Sequence, residues 1–215
     1  MTKALIFYGG WDGHEPEATS AIVERMLADE GIDVRREAGT GVLAEDDLGR
    51  YDLIVPMTTQ VQIDKEALQN LIAAVEAGTG LGGFHGGMGD AFRMEPAYQF
   101  MVGGQWVAHP GNIIDYRVEI TRPDDPIVAG IGDFDYRSEQ YFMHVDPGIE
   151  VLATTTFNGT HAPWTKGTVM PVVWKHRYGA ARVFYSALGH VASEFEQPQM
   201  KEILCRGLLW AARES

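Results

Sequence analysis

Positive charge is scarce in this chain of 215 residues: 17 Lys and Arg stand against 30 Asp and Glu, a formal charge of -13. Without a basic cluster to release phosphate counterions, neither nucleic acid nor an anionic membrane surface is an expected partner. Cysteine is nearly absent too. The lone Cys205 rules out an intrachain disulfide framework and fits a reducing compartment. No basic start leads into a long apolar run, and no apolar segment approaches ~20 residues, so a cytoplasmic protein is expected. Internal repeats, low-complexity tracts and linkers are lacking as well. With 45% apolar residues, the composition suits one α/β domain over residues 1-215.

In the first half, strand and helix patterns alternate. Ala4-Leu5-Ile6-Phe7-Tyr8, ending in Gly9-Gly10, reads as a strand buried on both faces. Pro16 opens a helix with Ile22, Val23, Met26 and Leu27 at helical spacing, and Gly31 closes it. A weaker strand at Val34 and another at Tyr51 to Pro56 follow. Asp64 is then placed to cap a helix striped with Leu68, Leu71, Ile72 and Val75, with Gly78 closing it. From about 103 to 150 helical periodicity fades into Pro, Gly and Asp with short runs such as Tyr116 to Ile120, which reads as a cover or insertion. Val151 to Ala153, Pro171 to Trp174 and Arg182 to Ser186 read as strands, the last two forming a hairpin across His176 to Gly179. Gln197 to Arg213 is a closing helix, with Cys205 beside its apolar stripe.

This alternation predicts a parallel sheet covered by helices, with ligands bound outside the carboxyl ends of the strands. That rule gathers Trp11 and His14, Thr58 to Gln60, His85 and His190. The stretch GGFHGG, Gly82 to Gly87, has the small residues of a nucleophile elbow, in which a strand turns sharply into a helix. Its central residue is His85, which can move protons or hold a metal but is a poor substitute for a thiolate. A ring satisfying backbone groups in a tight turn is the plainer reading of His85, and a strand terminus that of His190. His109 precedes Pro110-Gly111 and can equally shape a turn. His144, His161 and His176 are adequately explained by solvent exposure. In Ser138 to Phe142, alternation directs Glu139 and Tyr141 to one face, where a carboxylate would serve imidazoles in proton transfer. Glu194, four positions beyond His190, is a lesser candidate, and a surface ion pair would also explain it. Trp11, Trp106, Tyr141 and Trp164 fall in apparent loops or cover and can stack on a sugar ring, whereas Trp174 and Trp210 suit packing.

The ordered set GGW with His14, GGFHGG, WVAHPG (Trp106 to Gly111), SEQYF (Ser138 to Phe142) and PVVW with GAARVFYSALGH up to His190 resembles the trehalose-utilisation (ThuA-like) family. That family sits in the class I glutamine amidotransferase-like superfamily, and the resemblance covers nearly the whole chain. It implies a flavodoxin-like three-layer sandwich with a mostly parallel central sheet. The amidotransferase nucleophile position is taken by His85, and the segment ending in His190 corresponds to the strand that delivers the amidotransferase histidine. Glutaminase activity is then not expected. Asp125 departs from the pattern, standing where histidine is common in such relatives, which puts any role for its loop in doubt.

Two function classes follow. The first is an isomerase, lyase or hydrolase on a trehalose-type disaccharide or keto-sugar, with His85, His190 and Glu139 in proton transfer and Trp11, His14, Trp106, His109, Tyr141 and Glu194 binding substrate. The carbohydrate context comes from the resemblance, while the residues supply acid–base capacity. The second is a noncatalytic sugar-binding or regulatory module. No cofactor is expected; a divalent metal such as zinc on His14, His85 and His190 is the alternative, although no HExxH helix or closely spaced ligand pair exists. A small-molecule sugar is the expected partner, and a homodimer the expected assembly.

Overall fold

The computed structural model describes residues 1–213; Glu214 and Ser215, the last two of the expected 1-215 domain, lie outside the described residues. In chain order the elements are β1 (Lys3–Gly10), α1 (Pro16–Asp29), β2 (Asp33–Ala38), α2 (Val42–Glu45), β3 (Leu53–Thr59), α3 (Lys65–Glu76), β4 (Gly80–Phe84), α4 (His85–Gly89) and α5 (Pro96–Val102). Then come β5 (Gly104–Ala108), β6 (Ile113–Ile120), β7 (Phe134–Glu139), β8 (Phe142–Val145), β9 (Glu150–Thr156), β10 (Val169–Tyr178), β11 (Ala181–Ser186) and α6 (Pro198–Ala211). Asp64 occupies the N-cap position of α3, but its side chain makes no capping hydrogen bond. The β10–β11 turn is Gly179-Ala180, so His176, Arg177 and Tyr178 of the expected connection belong to the strand and only Gly179 to the turn.

The central sheet has the order β2-β1-β3-β4-β11-β10-β9-β6-β7. Its first five strands are parallel and follow the flavodoxin-like order, with β11 as the fifth; the other four are added antiparallel. The chain leaves β1 toward one edge and β3 toward the other, so right-handed crossovers place α1 and α3 on opposite faces. Helix α1 packs on β1 and β2, and α6 packs on β4 and β11 beside it. The predicted α6 stripe Met200, Ile203, Leu204, Gly207, Leu208 and Ala211 is buried, as are Leu68, Leu71 and Val75 of α3.

The segment 103–150 is only partly a cover. Strands β6 and β7 prolong the main sheet, because the inward residues Phe134, Tyr136 and Ser138 alternate with exposed ones as a half-buried strand requires. Strands β5 and β8 form a separate two-stranded ribbon. Trp174 on β10 is fully buried against Tyr185, 4.3 Å between centroids, and its indole N–H donates to the Val102 carbonyl at 3.1 Å. Truncating such a residue costs about 3–5 kcal/mol. Cys205 is half-buried, and burial pushes its thiol up to about 11, far from a nucleophile.

Pro56 shapes the centre of the sheet. It has no N–H to donate, and the β3–β4 ladder, Leu53 to Gly80 and Ile54 to Leu81, ends before it. Helix α4 takes the space so opened: a Cβ on Gly87 would lie 2.9 Å from the Met57 Cα. The elbow therefore rests directly on β3.

Candidate functional site

Six chain segments meet at the carboxyl edge of the parallel strands. The expected elbow is present: β4 ends at Phe84, α4 begins at His85, and His85 itself has φ 46°, the left-handed region. Tyr185 donates its hydroxyl to the His85 carbonyl at 3.0 Å and holds the turn. The His85 ring, buried beneath the surface, places Nδ1 2.8 Å from the Ala187 carbonyl oxygen. A carbonyl only accepts, so Nδ1 carries the proton and Nε2 faces the site.

That Nε2 lies 3.1 Å from Glu139 Oε2 and 3.2 Å from His190 Nδ1. His190 Nδ1 is 3.5 Å from the same carboxylate oxygen, and His109 Nε2 is 3.6 Å from the other one, Oε1. His14, in a 3-10 turn after β1, completes the group: its ring lies 4.7 Å from that of His85 and 5.1 Å from that of His190. Its Nδ1 is 2.7 Å from Thr59 Oγ1 at the end of β3. One donor atom from each of His14, His85, Glu139 and His190 lies within 4.8 Å of all the others.

Electrostatics keep the group acceptor-rich. Burial, helped by the neighbouring His85 and His190 rings, pushes the His14 imidazole down to about 3. Burial also lowers His190, with His85 adding to it. For Glu139 burial acts upward, but the hydrogen bond donated by His85 Nε2 when that ring is doubly protonated, and the charges of His85, His190 and His109 when they carry a proton, outweigh it and hold the carboxyl down at about 2.

Beside this group lies a cleft of about 400 Å³ whose wall includes Trp11, His14, Trp106, His109, Glu139 and Tyr141. Trp11 is half exposed; Tyr141 is buried and stacks on His85 at 4.1 Å. Trp106 Nε1 and His109 Nδ1 are buried without a hydrogen-bond partner. Gly86 allows the crowding, since a Cβ there would come within 2.4 Å of His14 Cε1 and 3.1 Å of the Tyr141 hydroxyl.

His85, His190, Glu139, His14, Trp11, Trp106, His109 and Tyr141 are thus brought together. Glu194 is placed differently from the substrate-binding expectation: its Oε2 accepts from the Tyr136 hydroxyl at 2.5 Å and from the His190 amide at 2.9 Å, so it anchors the chain behind His190. Trp164 is 86% exposed and takes no part in the cleft wall. Asp125 pairs with Lys175. His144 and His161 are exposed as expected, but His176 is half-buried with an unpartnered Nδ1. Sequence reasoning missed Asp90 and Asn112 in the cleft wall. Asp90, five residues beyond His85, pairs with Arg93 at the end of the elbow helix; burial raises its carboxyl.

Among the described residues no helix is long and apolar enough to cross a membrane. A ThuA-like protein from Parabacteroides merdae is similar in fold, with TM-score 0.79 and 20% identity over 98% of this chain and 89% of that one. Another from Bacteroides uniformis gives TM-score 0.81 and 19% identity over 98% and 91%. A protein of Salmonella typhimurium LT2 described as cytoplasmic gives TM-score 0.66 and 14% identity over 99% and 100%. No curated protein matches in sequence. The family model described as trehalose utilisation (ThuA) matches residues 3–211, and the chain belongs to that family.

Proposed function

We propose that this chain is an enzyme of carbohydrate metabolism that acts on a trehalose-type disaccharide or keto-sugar and moves a proton at a carbon next to a carbonyl. The family supports a carbohydrate-related role. The observation that carries the chemistry is Glu139, a buried carboxylate with imidazoles of His85, His190 and His109 at 3.1, 3.5 and 3.6 Å. A single proton shared among such groups is readily taken from and returned to a substrate. Trp11, Trp106 and Tyr141 supply flat apolar faces for a sugar ring, and Trp106 Nε1 and His109 Nδ1 supply unspent polar atoms.

In the proposed step the C–H bond beside the carbonyl breaks, its proton passes to an imidazole, and its electron pair moves to the carbonyl oxygen. Return of the proton to the former carbonyl carbon, while a hydroxyl on the deprotonated carbon gives up its own proton and becomes the new carbonyl, gives isomerisation; expulsion of a group, protonated as it leaves, from the carbon on the other side of the deprotonated one gives elimination. Glutaminase chemistry has no support, since the elbow carries His85 and Cys205 lies in α6. We place the reaction in the cytoplasm, in keeping with the description of the Salmonella neighbour.

The test is turnover of a panel of disaccharides and their keto derivatives, followed by product analysis and by solvent deuterium incorporation next to the carbonyl. Product formation that is lost in Glu139→Gln is expected. Saturable binding without product or deuterium exchange would overturn the enzyme reading in favour of a binding module.

A further inference from the structure

The four donor groups beside the cleft, of which His14 and Glu139 line its wall, turn their lone pairs toward a common point. Because the Ala187 carbonyl fixes the proton of His85 on Nδ1, the lone pair of neutral His85 at Nε2 faces Glu139 Oε2 at 3.1 Å and His190 Nδ1 at 3.2 Å. Three acceptor-capable atoms thus converge on one point from three separate elements, in a place where water has little access. A proton on His190 Nδ1 can serve the other two in turn, and a cation shared by the three satisfies them together.

The spacing of His85, His190 and Glu139 is that of a metal site, while the set with His14 extends to 4.8 Å, so the His14 ring has to close on the ion. A tetrahedral ion with ligand bonds of about 2.0–2.1 Å has ligands about 3.3 Å apart. The three edges here are 3.1, 3.2 and 3.5 Å. One ion can therefore sit about 2 Å from His85 Nε2, His190 Nδ1 and Glu139 Oε2 together without moving them. The outer hydrogen bonds are also those that metal ligands need: His85 Nδ1 to the Ala187 carbonyl, and His14 Nδ1 to Thr59 Oγ1 at 2.7 Å, which leaves the other nitrogen of each ring free. The two are held by rigid features, the elbow and the end of β3.

We propose that His85, His190 and Glu139, with His14 as the fourth ligand, bind one divalent first-row transition-metal ion of the zinc type, and that the ion receives a carbonyl or hydroxyl oxygen of the sugar at its cleft side. Three imidazoles and one carboxylate suit zinc or a similar ion and give poor support to magnesium or calcium, which prefer oxygen. The sugar-facing half of this proposal rests on the function proposed above; the metal-binding half does not. With Oε2 on the ion, the second oxygen of Glu139 still reaches His109 at 3.6 Å. His109 is then the imidazole outside the ligand set and the one left to take the substrate proton, while the ion polarises the carbonyl.

The probe is Co²⁺ added to the full chain after chelator treatment and dialysis. About one equivalent should bind, with the visible d–d absorption of a four- or five-coordinate site, and Zn²⁺ should displace it. Glu139→Gln and His190→Ala should each weaken binding at least tenfold, while His144→Ala, an exposed histidine on β8, should bind as the parent does. Melting of each variant without metal establishes that it is folded; if His190→Ala is not, Glu139→Gln decides. Absence of the absorption, or binding indifferent to Glu139→Gln, overturns the site. Turnover of the sugar panel that persists in metal-free protein overturns the metal and keeps the function; Co²⁺ bound as described without turnover of any sugar keeps the metal and overturns the function.

Discussion

His85 Nδ1 stands 2.8 Å from the carbonyl oxygen of Ala187, 102 residues away in the chain. This bond joins the elbow after β4 to the segment after β11, and it decides which edge of the ring is free for chemistry. The ring is set by two constraints, the carbonyl and its own left-handed backbone at φ 46°. A substitution at His85 therefore changes backbone strain as well as chemistry. Alanine in that region costs roughly 1–2 kcal/mol, whereas glycine is nearly free. His85→Gly is expected to melt at or a few degrees above His85→Ala, with both losing on the order of 10²-fold or more in turnover. Scanning calorimetry and steady-state rates check the two statements separately.

Acid should weaken the metal-free protein in a defined window. His14 is lowered from about 6.5 unfolded to about 3 folded, so between those values the unfolded chain binds more protons at this site and stability falls as pH falls. Glu139 is lowered from about 4.5 to about 2, and its contribution, complete above the upper value, is lost on descending through that lower window. Replacing His14 by Gln removes the first contribution. Urea midpoints measured from pH 7.5 to 4 should fall less steeply below pH 6.5 in His14→Gln than in the parent.

Gly86 has no left-handed backbone to protect, yet it has no room for a methyl group. A Cβ would lie 2.4 Å from His14 Cε1 and 3.1 Å from the Tyr141 hydroxyl. Gly86→Ala should push the His14 ring from Thr59, lower kcat/KM at least tenfold, and change the melting temperature by only a few degrees. An unchanged kcat/KM would show that His14 is not needed where it sits.

Glu194 acts on the site through His190, whose amide it holds at 2.9 Å with the same oxygen, Oε2, that accepts from the Tyr136 hydroxyl. Glu194→Ala should lower kcat with little effect on KM, since no wall of the cleft is removed. Glu194→Gln keeps one acceptor oxygen and should restore a large part of the rate. A KM effect of the same size as the kcat effect would instead put Glu194 against substrate.

Legibility in the sequence tracked the kind of signal. Continuous apolar runs at Ala4 to Tyr8 and Leu53 to Val55, and the stripe Leu68, Leu71, Val75, report directly on burial, and their strands and helix are where they were expected. The elbow is readable because only small residues permit it; Glu139 and Tyr141 do line one cleft, but not by strand alternation, since β7 ends at Glu139, β8 begins at Phe142 and Ser138 to Tyr141 are all buried. What was not readable depends on main-chain groups or on partners far away. The Ala187 carbonyl has no residue signature, since any amino acid supplies one. Glu194 looks the same in sequence whether it faces a sugar or the His190 amide. The short strands β5 and β8 are too brief to show a period, and the membership of β6 and β7 in the main sheet is a matter of tertiary pairing.

The strand that ends in Glu139 is the outermost of the main sheet. Strand β7 pairs along its length with β6, but β6 meets β9 only through Glu119 to Thr154 and Ile120 to Ala153. Side chains supply the other ties: the Tyr136 hydroxyl donates to Glu194 and accepts from the Gly189 amide at 3.2 Å, Gln140 donates to Thr155 Oγ1 at 2.8 Å, and the Glu139 carboxylate sits among the imidazoles of the elbow side. A proton or cation at the centre of that cluster therefore also draws the end of the antiparallel wing against the parallel half of the sheet, so the charge that serves the chemistry is at the same time a seam between the two halves.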